Sequence, residues 1–227
     1  MRRVASLFLV VLSLGFAFAC GGGGSSAGTA NLRFIQGSPD APPVNYLVDG
    51  ATQSSNLLYG NASTYASVKS GTRDVQIIPV NATKALLAQT VSLADSANET
   101  LILTGPVAQL KPLVLNDGTT TGTTSSNNIR VVNISISMGP ADVYIIPAGS
   151  SLGSATPVAT ALDFDQNTGY VGTGSTSGNF DVYITKPTTQ NVYLSTGSLN
   201  LSTSQKQTIL ILDSPTGGFT FTLLTDQ

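Results

Sequence analysis

The feature that most constrains the fold is an internal repeat. The segment Asn31–Ile35 reappears as Asn128–Val132, and further pairs of similar segments follow in the same order along both halves. These pairs are Val44–Val48 with Ala141–Ile145, Arg73–Ile77 with Phe180–Ile184, Thr100–Leu103 with Thr208–Ile211, and Leu113–Leu115 with Thr222–Leu224. A preserved order of this kind indicates a duplicated unit of about one hundred residues.

Within each unit the hydrophobic pattern has a period of two. Val75 and Ile77 alternate with Asp74 and Gln76, and Phe180–Ile184 alternates in the same way. This pattern is typical of strands with one buried and one solvated face. About seven such runs per unit, separated by turn residues, predict an all-β fold of two tandem immunoglobulin-like antiparallel β-sandwiches.

One segment is less clear. Thr83–Gln89 leans toward helix by residue propensity, whereas its counterpart in the second copy, Val192–Thr196, favours strand. Because the two copies should fold alike, we predict a strand in both.

The stretch 116–127 has no apolar side chain and consists mainly of glycine, threonine and serine. This composition predicts a linker. It would separate a first β-sandwich unit of residues 31–115 from a second of residues 128–227. The sequence leaves open whether the two units pack against each other.

The composition excludes several classes of chemistry. The chain has 227 residues, no histidine and one cysteine, so it cannot build a Ser-His-Asp triad, a Cys-His pair or a zinc site of histidine and cysteine ligands. We therefore predict no cofactor and no enzymatic activity, although carboxylate-pair hydrolysis and a Ser-Lys dyad remain open as catalytic alternatives. The net charge of −2 offers no basic excess for phosphates, which argues against nucleic-acid binding.

The start of the chain resembles the signal peptide and lipobox of bacterial lipoproteins. Arg2 and Arg3 precede the apolar run Val4–Phe18, which is short for a spanning helix, and the small Ala19 precedes Cys20. We predict a cleaved signal peptide of residues 1–19, lipid modification of Cys20 and a flexible tether of residues 20–30. An ordinary secretory signal is the alternative.

The lipobox resemblance has one departure and implies a location. Ala17 stands three residues before the cysteine, where lipoproteins usually have leucine. Acyl chains on Cys20 would hold the protein on a membrane in the cell envelope. Gly21 after the cysteine resembles the sorting pattern for the outer membrane, if the host has one.

A second resemblance rests on Arg33, the Ser38–Pro42 motif SerProAspAlaPro and the Val48–Gly50 motif ValAspGly. At this spacing they resemble the bacterial domain-of-unknown-function family 4397. The family implies β-rich extracytoplasmic modules and supplies no established catalytic residues. Gln36 stands where the family commonly has histidine, and Asn45 where it commonly has aspartate.

Two features of the first unit are candidate ligand sites. Ser38 and Asp40 lie in a loop at a predicted sandwich end, although prolines and a capping Asp40 carboxylate would also make a stiff connection between strands. Tyr59 and Tyr65 flank a polar stretch and could stack on a sugar ring, the alternative being ordinary packing.

Two further sets of polar residues have simpler interpretations. Asp163, Asp165 and Asn167 present oxygen ligands at alternating positions, as a calcium loop does, but a polar hairpin is the alternative. Arg33 and Arg130 occupy equivalent strand positions, and we expect each to pair with a local carboxylate or to cover a sheet edge rather than to bind a ligand.

Together these features predict a non-enzymatic, lipid-anchored cell-envelope protein with a structural, adhesion or ligand-display role. Its partners would be the membrane, through the acyl anchor, and an envelope protein or glycan. The alternatives are a polysaccharide-binding module and a carboxylate-based hydrolase.

Overall fold

The computed structural model describes residues 28–118, 126–175, 177–202 and 205–227. The predicted signal peptide, Cys20, most of the tether and residues 119–125 of the predicted linker lie outside them. The described residues form strands and loops, with two short 3-10 turns at Val107–Gln109 and Leu152–Ser154. None of the described helical turns has the length or apolar character needed to cross a bilayer.

Within the described residues, eight strands precede residue 119 and nine follow residue 125. The first group is β1 (Thr29–Gln36), β2 (Val44–Val48), β3 (Ala51–Leu57), β4 (Ala66–Lys69), β5 (Gly71–Pro79), β6 (Leu87–Leu93), β7 (Asn98–Thr104) and β8 (Lys111–Asn116). The second group is β9 (Asn128–Asn133), β10 (Ala141–Pro147), β11 (Ala159–Leu162), β12 (Gln166–Asn167), β13 (Val171–Gly172), β14 (Gly178–Thr185), β15 (Val192–Leu201), β16 (Lys206–Asp213) and β17 (Phe219–Asp226). We refer to β1–β8 as the first unit and β9–β17 as the second unit.

Each unit is a β-sandwich of two sheets with the same strand order. The inner sheet of the first unit is β4-β1-β7-β8, and that of the second is β12-β9-β16-β17, with β13 also paired to β9. The outer sheets are β3-β2-β5-β6 and β11-β10-β14-β15. This confirms the all-β sandwich prediction.

The sequence predicts antiparallel sheets, but each inner sheet also contains one parallel pair of strands. β1 pairs in parallel with β7, and β9 pairs in parallel with β16, while the other strand pairs are antiparallel. Parallel strands need a long crossover connection. The intervening strands of each unit provide it, since the chain visits the outer sheet before it returns.

Each unit has its own hydrophobic core between its two sheets. In the first unit Leu32 and Phe34 of β1 pack with Tyr46 of β2 and Ile77 of β5, all fully buried. The Phe34 and Tyr46 rings lie 4.9 Å apart between centroids. The Tyr46 hydroxyl donates to the Ile35 carbonyl at 2.7 Å, so its burial leaves no unpaired donor.

A third cluster packs the two inner sheets against each other. It joins Ile35, Ile102 and Leu115 of the first unit to buried residues of the second, namely Val132, Ile134, Leu210, Leu212 and Leu224. The inner sheets are therefore buried on both faces. The molecule has four layers in the order outer, inner, inner, outer.

The segment of unclear propensity is a strand only in part. The strand begins at Leu87 and continues to Leu93, so the start of Thr83–Gln89 is loop. Its counterpart in the second unit is the strand Val192–Leu201.

Candidate functional site

Two arginines lie on the faces of the inner sheets that meet between the units. Arg33 follows the core residue Leu32 in β1 and so points to the opposite face, and Arg130 has the same place in β9. The neighbouring strand supplies a threonine to each. Arg33 Nε and Nη2 donate to Thr100 Oγ1 at 3.0 and 2.8 Å, and Arg130 Nε donates to Thr208 Oγ1 at 2.9 Å.

Each arginine reaches a carboxylate of the other unit. Arg33 Nη2 lies 2.5 Å from Asp226 Oδ1, and Arg130 Nη2 lies 2.5 Å from Asp117 Oδ1. The arginine side chains are 4% and 3% exposed and both carboxylates are 0% exposed. We call these four residues the charge cluster. It is an exchange of ion pairs across the boundary between the units.

Backbone carbonyls complete the two arginine sites. Arg33 Nη1 donates to the Thr225 carbonyl at 3.1 Å, and Arg130 Nη1 donates to the Asn116 carbonyl at 3.0 Å. In each case the carbonyl belongs to the residue just before the paired aspartate. The two halves of the cluster therefore follow the same design.

Hydroxyl groups satisfy the remaining carboxylate oxygens. Thr100 Oγ1 and the Tyr65 hydroxyl donate to Asp117 Oδ2 at 2.5 and 2.7 Å. Thr208 Oγ1 and the Tyr170 hydroxyl donate to Asp226 Oδ2 at 2.6 and 2.7 Å. A buried ion pair persists where such additional hydrogen bonds offset the loss of hydration.

Both tyrosines also cover a guanidinium group. The Arg33 Cζ lies 4.8 Å from the Tyr65 ring centroid, and the Arg130 Cζ lies 4.6 Å from that of Tyr170. Burial, together with the negatively charged aspartate that accepts the hydroxyl hydrogen bond, raises the pKa of both tyrosines well above the ordinary value. The hydroxyls therefore stay protonated and remain donors.

The cluster carries two positive and two negative charges and so is neutral as a set. Beyond the two short pairs, Arg33 lies 3.6 Å from Asp117 and Arg130 lies 3.9 Å from Asp226. No member is left as a free acid or base. The arrangement fits a lock between the units rather than proton transfer.

A cavity of about 220 Å³ lies beside the second half of the cluster. Its lining includes Asn116, Arg130, Asn167 and Tyr170. Each nitrogen of the Arg130 guanidinium already donates one hydrogen bond, to Thr208, Asn116 and Asp117 respectively. The cavity thus offers a ligand little unsatisfied charge.

The predicted ligand loop is held by a buried amide at its start. Gln36 Oε1 accepts from the Ser38 amide at 2.6 Å, and Gln36 Nε2 donates to the Ala41 carbonyl at 3.2 Å. In the second unit Asn133 does the same work, accepting from the Ser135 amide at 3.1 Å and donating to the Gly139 carbonyl at 3.1 Å. The position where the related family commonly has histidine has a structural role here.

Asp40 caps the opposite loop. Its Oδ1 accepts from the Val107 amide at 2.9 Å and from Ser38 Oγ at 3.2 Å. The second unit closes the same gap from the other side, where Asp213 accepts from Ser135, Ile136 and Ser137. Asp40 thus joins the SerProAspAlaPro loop to the loop that follows β7.

The ValAspGly motif is a hairpin turn. Asp49 and Gly50 have φ of 50° and 78° between β2 and β3, as a type I′ turn requires. Asp49 Oδ1 accepts from the Asp74 amide, and Oδ2 pairs with Arg73 at 3.1 Å. The hydrogen bond from the Asp74 backbone lowers the pKa of Asp49 below its usual value.

The two tyrosines of the predicted stacking platform both face the other unit or the charge cluster. The Tyr65 hydroxyl and ring are engaged as described above. Tyr59 is half-buried, packs on the cluster between the inner sheets and donates to the Asp213 carbonyl at 2.9 Å. Burial and the nearby Asp213 carboxylate raise the pKa of Tyr59 to about 12.

The predicted calcium loop is held by protein contacts. Asp163 Oδ1 accepts from the Phe164 amide at 2.8 Å, and Asn167 Oδ1 accepts from the Gly169 amide at 2.9 Å. Lys111 Nζ lies 2.6 Å from Asp165 Oδ2. Among the described residues no three His, Cys, Asp or Glu side chains converge on a possible metal position.

Sequence reasoning found the arginines but missed their partners. We expected local carboxylates, whereas the short contacts cross to the other unit. Asp117 fell within the predicted linker, yet it is fully buried. A usable signal existed, because Thr100 and Thr208 recur at equivalent positions and a threonine facing an arginine on the next strand suggests a polar network.

Comparisons with known proteins add little beyond the family. No curated protein matches the chain. A solved carbohydrate-binding module, CBMbc of family CBM26 from Eubacterium rectale Amy13K, crystallised with maltoheptaose, is 10% identical over 86% of this chain and 96% of its own, with a TM-score of 0.28. A DUF3823 family protein from Bacteroides ovatus is 9% identical over 77% of this chain and 98% of its own, with a TM-score of 0.23. Neither likeness carries an argument about function.

The family model described as "Domain of unknown function (DUF4397)" matches residues 30–144, which is 115 of the 227 residues. The match begins at Ala30 in β1, takes in the first unit and ends at Tyr144 in β10. It includes Arg33, Asp117 and Arg130 of the charge cluster. The chain belongs to the DUF4397 family.

Proposed function

We propose that this protein is a non-enzymatic, lipid-anchored cell-envelope protein with a structural, adhesion or ligand-display role. Its two units would act together as one rigid body. The observation that carries the proposal is the charge cluster. Its two arginines and two aspartates pair across the boundary between the units, and Tyr65 and Tyr170 donate to the same aspartates, so these polar groups join the units.

The packing between the units supports the rigid part of the proposal. Apolar side chains of both inner sheets form one continuous buried cluster, and the ion pairs lie within the same boundary. Removing one partner of a buried ion pair costs about 3–5 kcal/mol, so hinge motion that separates the pairs is disfavoured. A stiff body would hold its outer loops in a fixed arrangement relative to one another, while the flexible tether would limit how far the body reaches from the membrane.

The same contacts weigh against a sugar platform made of Tyr59 and Tyr65. A stacking platform needs an exposed aromatic face. The Tyr65 face is covered by Arg33, and Tyr59 packs toward the second unit. Their positions support a joining role over polysaccharide binding through these two residues.

The anchor is testable by metabolic labelling with a fatty-acid analogue in a bacterial host. We expect the wild-type chain to incorporate label and to sediment with membranes, and Cys20→Ala to lose both properties. Ala17→Leu is the matched control, since it restores the residue usual in a lipobox and should keep the label. Equal labelling of wild type and Cys20→Ala would contradict lipid anchoring.

A further inference from the structure

The edge strands of the four sheets differ in how well they resist pairing with another chain. Natural edges are blunted by shortness, by charge or proline, and by bulges. β4 and β11 have four residues each, and β8 begins with Lys111 and Pro112. β3 and β15 are irregular, since each pairs with its neighbour through register shifts.

The edge strand β17 contacts other parts of the molecule through both of its faces. Thr222 Oγ1 donates to the Gly60 carbonyl of the first unit at 2.8 Å. On its other side the Phe219 ring packs on Tyr193 of β15, with centroids 5.7 Å apart.

β6 has none of these devices. It pairs with β5 in unbroken register from Ile77–Leu87 to Gly71–Leu93. Its seven residues include no proline and no charged side chain, and Ala88, Gln89 and Thr90 are exposed. It is a regular edge strand, and its backbone groups on the side away from β5 have no partner strand among the described residues.

We propose that β6 pairs with β6 of a second copy of this chain, antiparallel about a two-fold axis at Thr90. This register places Leu87 opposite the partner copy's Leu93, and Gln89 opposite its Val91. Residues separated by two lie on one face of a strand. The core-facing row of one copy therefore continues into that of the other, forming one eight-stranded outer sheet.

The opposite charges at the two ends of β6 favour a second copy of this chain as the partner strand. Lys84 precedes the strand and Asp95 follows it, and both are exposed. A seven-residue strand spans about 23 Å, so these two side chains cannot meet within one chain. In the proposed antiparallel pairing, the end of β6 preceded by Lys84 lies beside the end of the partner copy's β6 that is followed by Asp95. The pair forms twice, once at each end.

The register is testable by disulfide trapping in the full chain carrying Cys20→Ser, which leaves no other thiol. Residues opposite each other in antiparallel strands have Cα atoms about 4.5–5.5 Å apart, within disulfide reach. Under mild oxidation we expect Thr90→Cys to form a covalent dimer. Ser198→Cys, at an exposed position of the bulged edge β15, is the matched control and should stay monomeric. Equal cross-linking of both variants, or none of Thr90→Cys, would overturn the proposal.

Sedimentation equilibrium tests the end charges without a core change. We expect Lys84→Glu to weaken the dimer roughly tenfold, because two exposed pairs become repulsive, and the double variant Lys84→Glu with Asp95→Lys to restore it. A wild-type chain that stays monomeric at about 100 μM, far above a micromolar dissociation constant, would overturn the dimer and assign the edge to a strand of a different protein.

Discussion

The two units share a topology and a charge cluster but close their loops differently. In the first unit the capping carboxylate, Asp40, lies on the loop after β1, whereas in the second Asp213 lies at the end of β16 and reaches back to the loop after β9. The same loop-to-loop gap is bridged from opposite sides. Both units have a carboxylate contact between these two loops, but the aspartate that provides it lies on a different side of the gap in each unit.

At one buried position in the interior, the two sandwiches differ in the presence of an ionisable side chain. Glu99 of β7 pairs in register with Leu32, and Gln207 of β16 pairs with Ile129 at the equivalent place. Both are 5% exposed, and each has one side-chain oxygen without a hydrogen-bond partner. The first unit therefore buries an ionisable group where the second buries a neutral one.

The largest expected loss of stability is the same for the two halves of the charge cluster. Arg33→Ala and Arg130→Ala should each lower the free energy of unfolding by about 3–5 kcal/mol, because each strands a buried carboxylate. Urea unfolding measures it. Arg73→Ala is the control, since its pair with Asp49 is partly exposed to solvent and should contribute far less to stability. An Arg33→Ala variant as stable as Arg73→Ala would contradict a locked interface.

Removing a loop cap should cost less stability, and the cost should differ between the two units. Asp213 accepts two backbone and two hydroxyl hydrogen bonds, from Ser135, Ile136 and Ser137, while Asp40 accepts one of each. We expect Asp213→Ala to cost about 2 kcal/mol and Asp40→Ala about 1 kcal/mol. Thermal unfolding of both variants gives the ranking. Equal losses would show that the two caps are equivalent despite their different bond counts.

The smallest effect concerns Glu99 and depends on pH. Burial, with the Asp117 charge nearby, raises the pKa of Glu99 above its usual value. The folded state then binds more protons than the unfolded state, so the stability contributed by this group is fully present at low pH and is lost as pH rises to the folded pKa.

Glu99→Gln copies the second unit and removes this dependence. We expect its gain in stability over wild type to be absent near pH 4 and to grow as the solution becomes neutral. Unfolding curves across that range measure it, with Gln207→Ala as a variant whose effect should not vary with pH. A gain from Glu99→Gln that is the same at every pH would mean that Glu99 does not titrate with an altered pKa.

Much of the fold could be predicted from the sequence because repeats and alternation are local signals. The outer strands β5 and β14 alternate clearly, as solvated sheets do, whereas Leu101–Leu103 of β7 is apolar throughout. A continuous apolar run is typical of a strand buried on both faces. This pattern was the available sign that the inner sheets pack together.

The partners across the interface could not be predicted in the same way. Arg33 and Asp226 are almost the whole chain apart, and nothing in their spacing indicates contact. Asp117 follows the last residue of β8 within a polar stretch, and composition alone predicts a linker there. Only the docking of one unit on the other buries it.

Differential scanning calorimetry tests most directly whether the two units behave as one body. For the wild-type chain we predict a single transition whose calorimetric enthalpy equals the van't Hoff enthalpy, as for a two-state protein. The double variant Arg33→Ala with Arg130→Ala should broaden or split that transition. Two separate transitions in the wild type, at temperatures that the double variant leaves unchanged, would contradict the account.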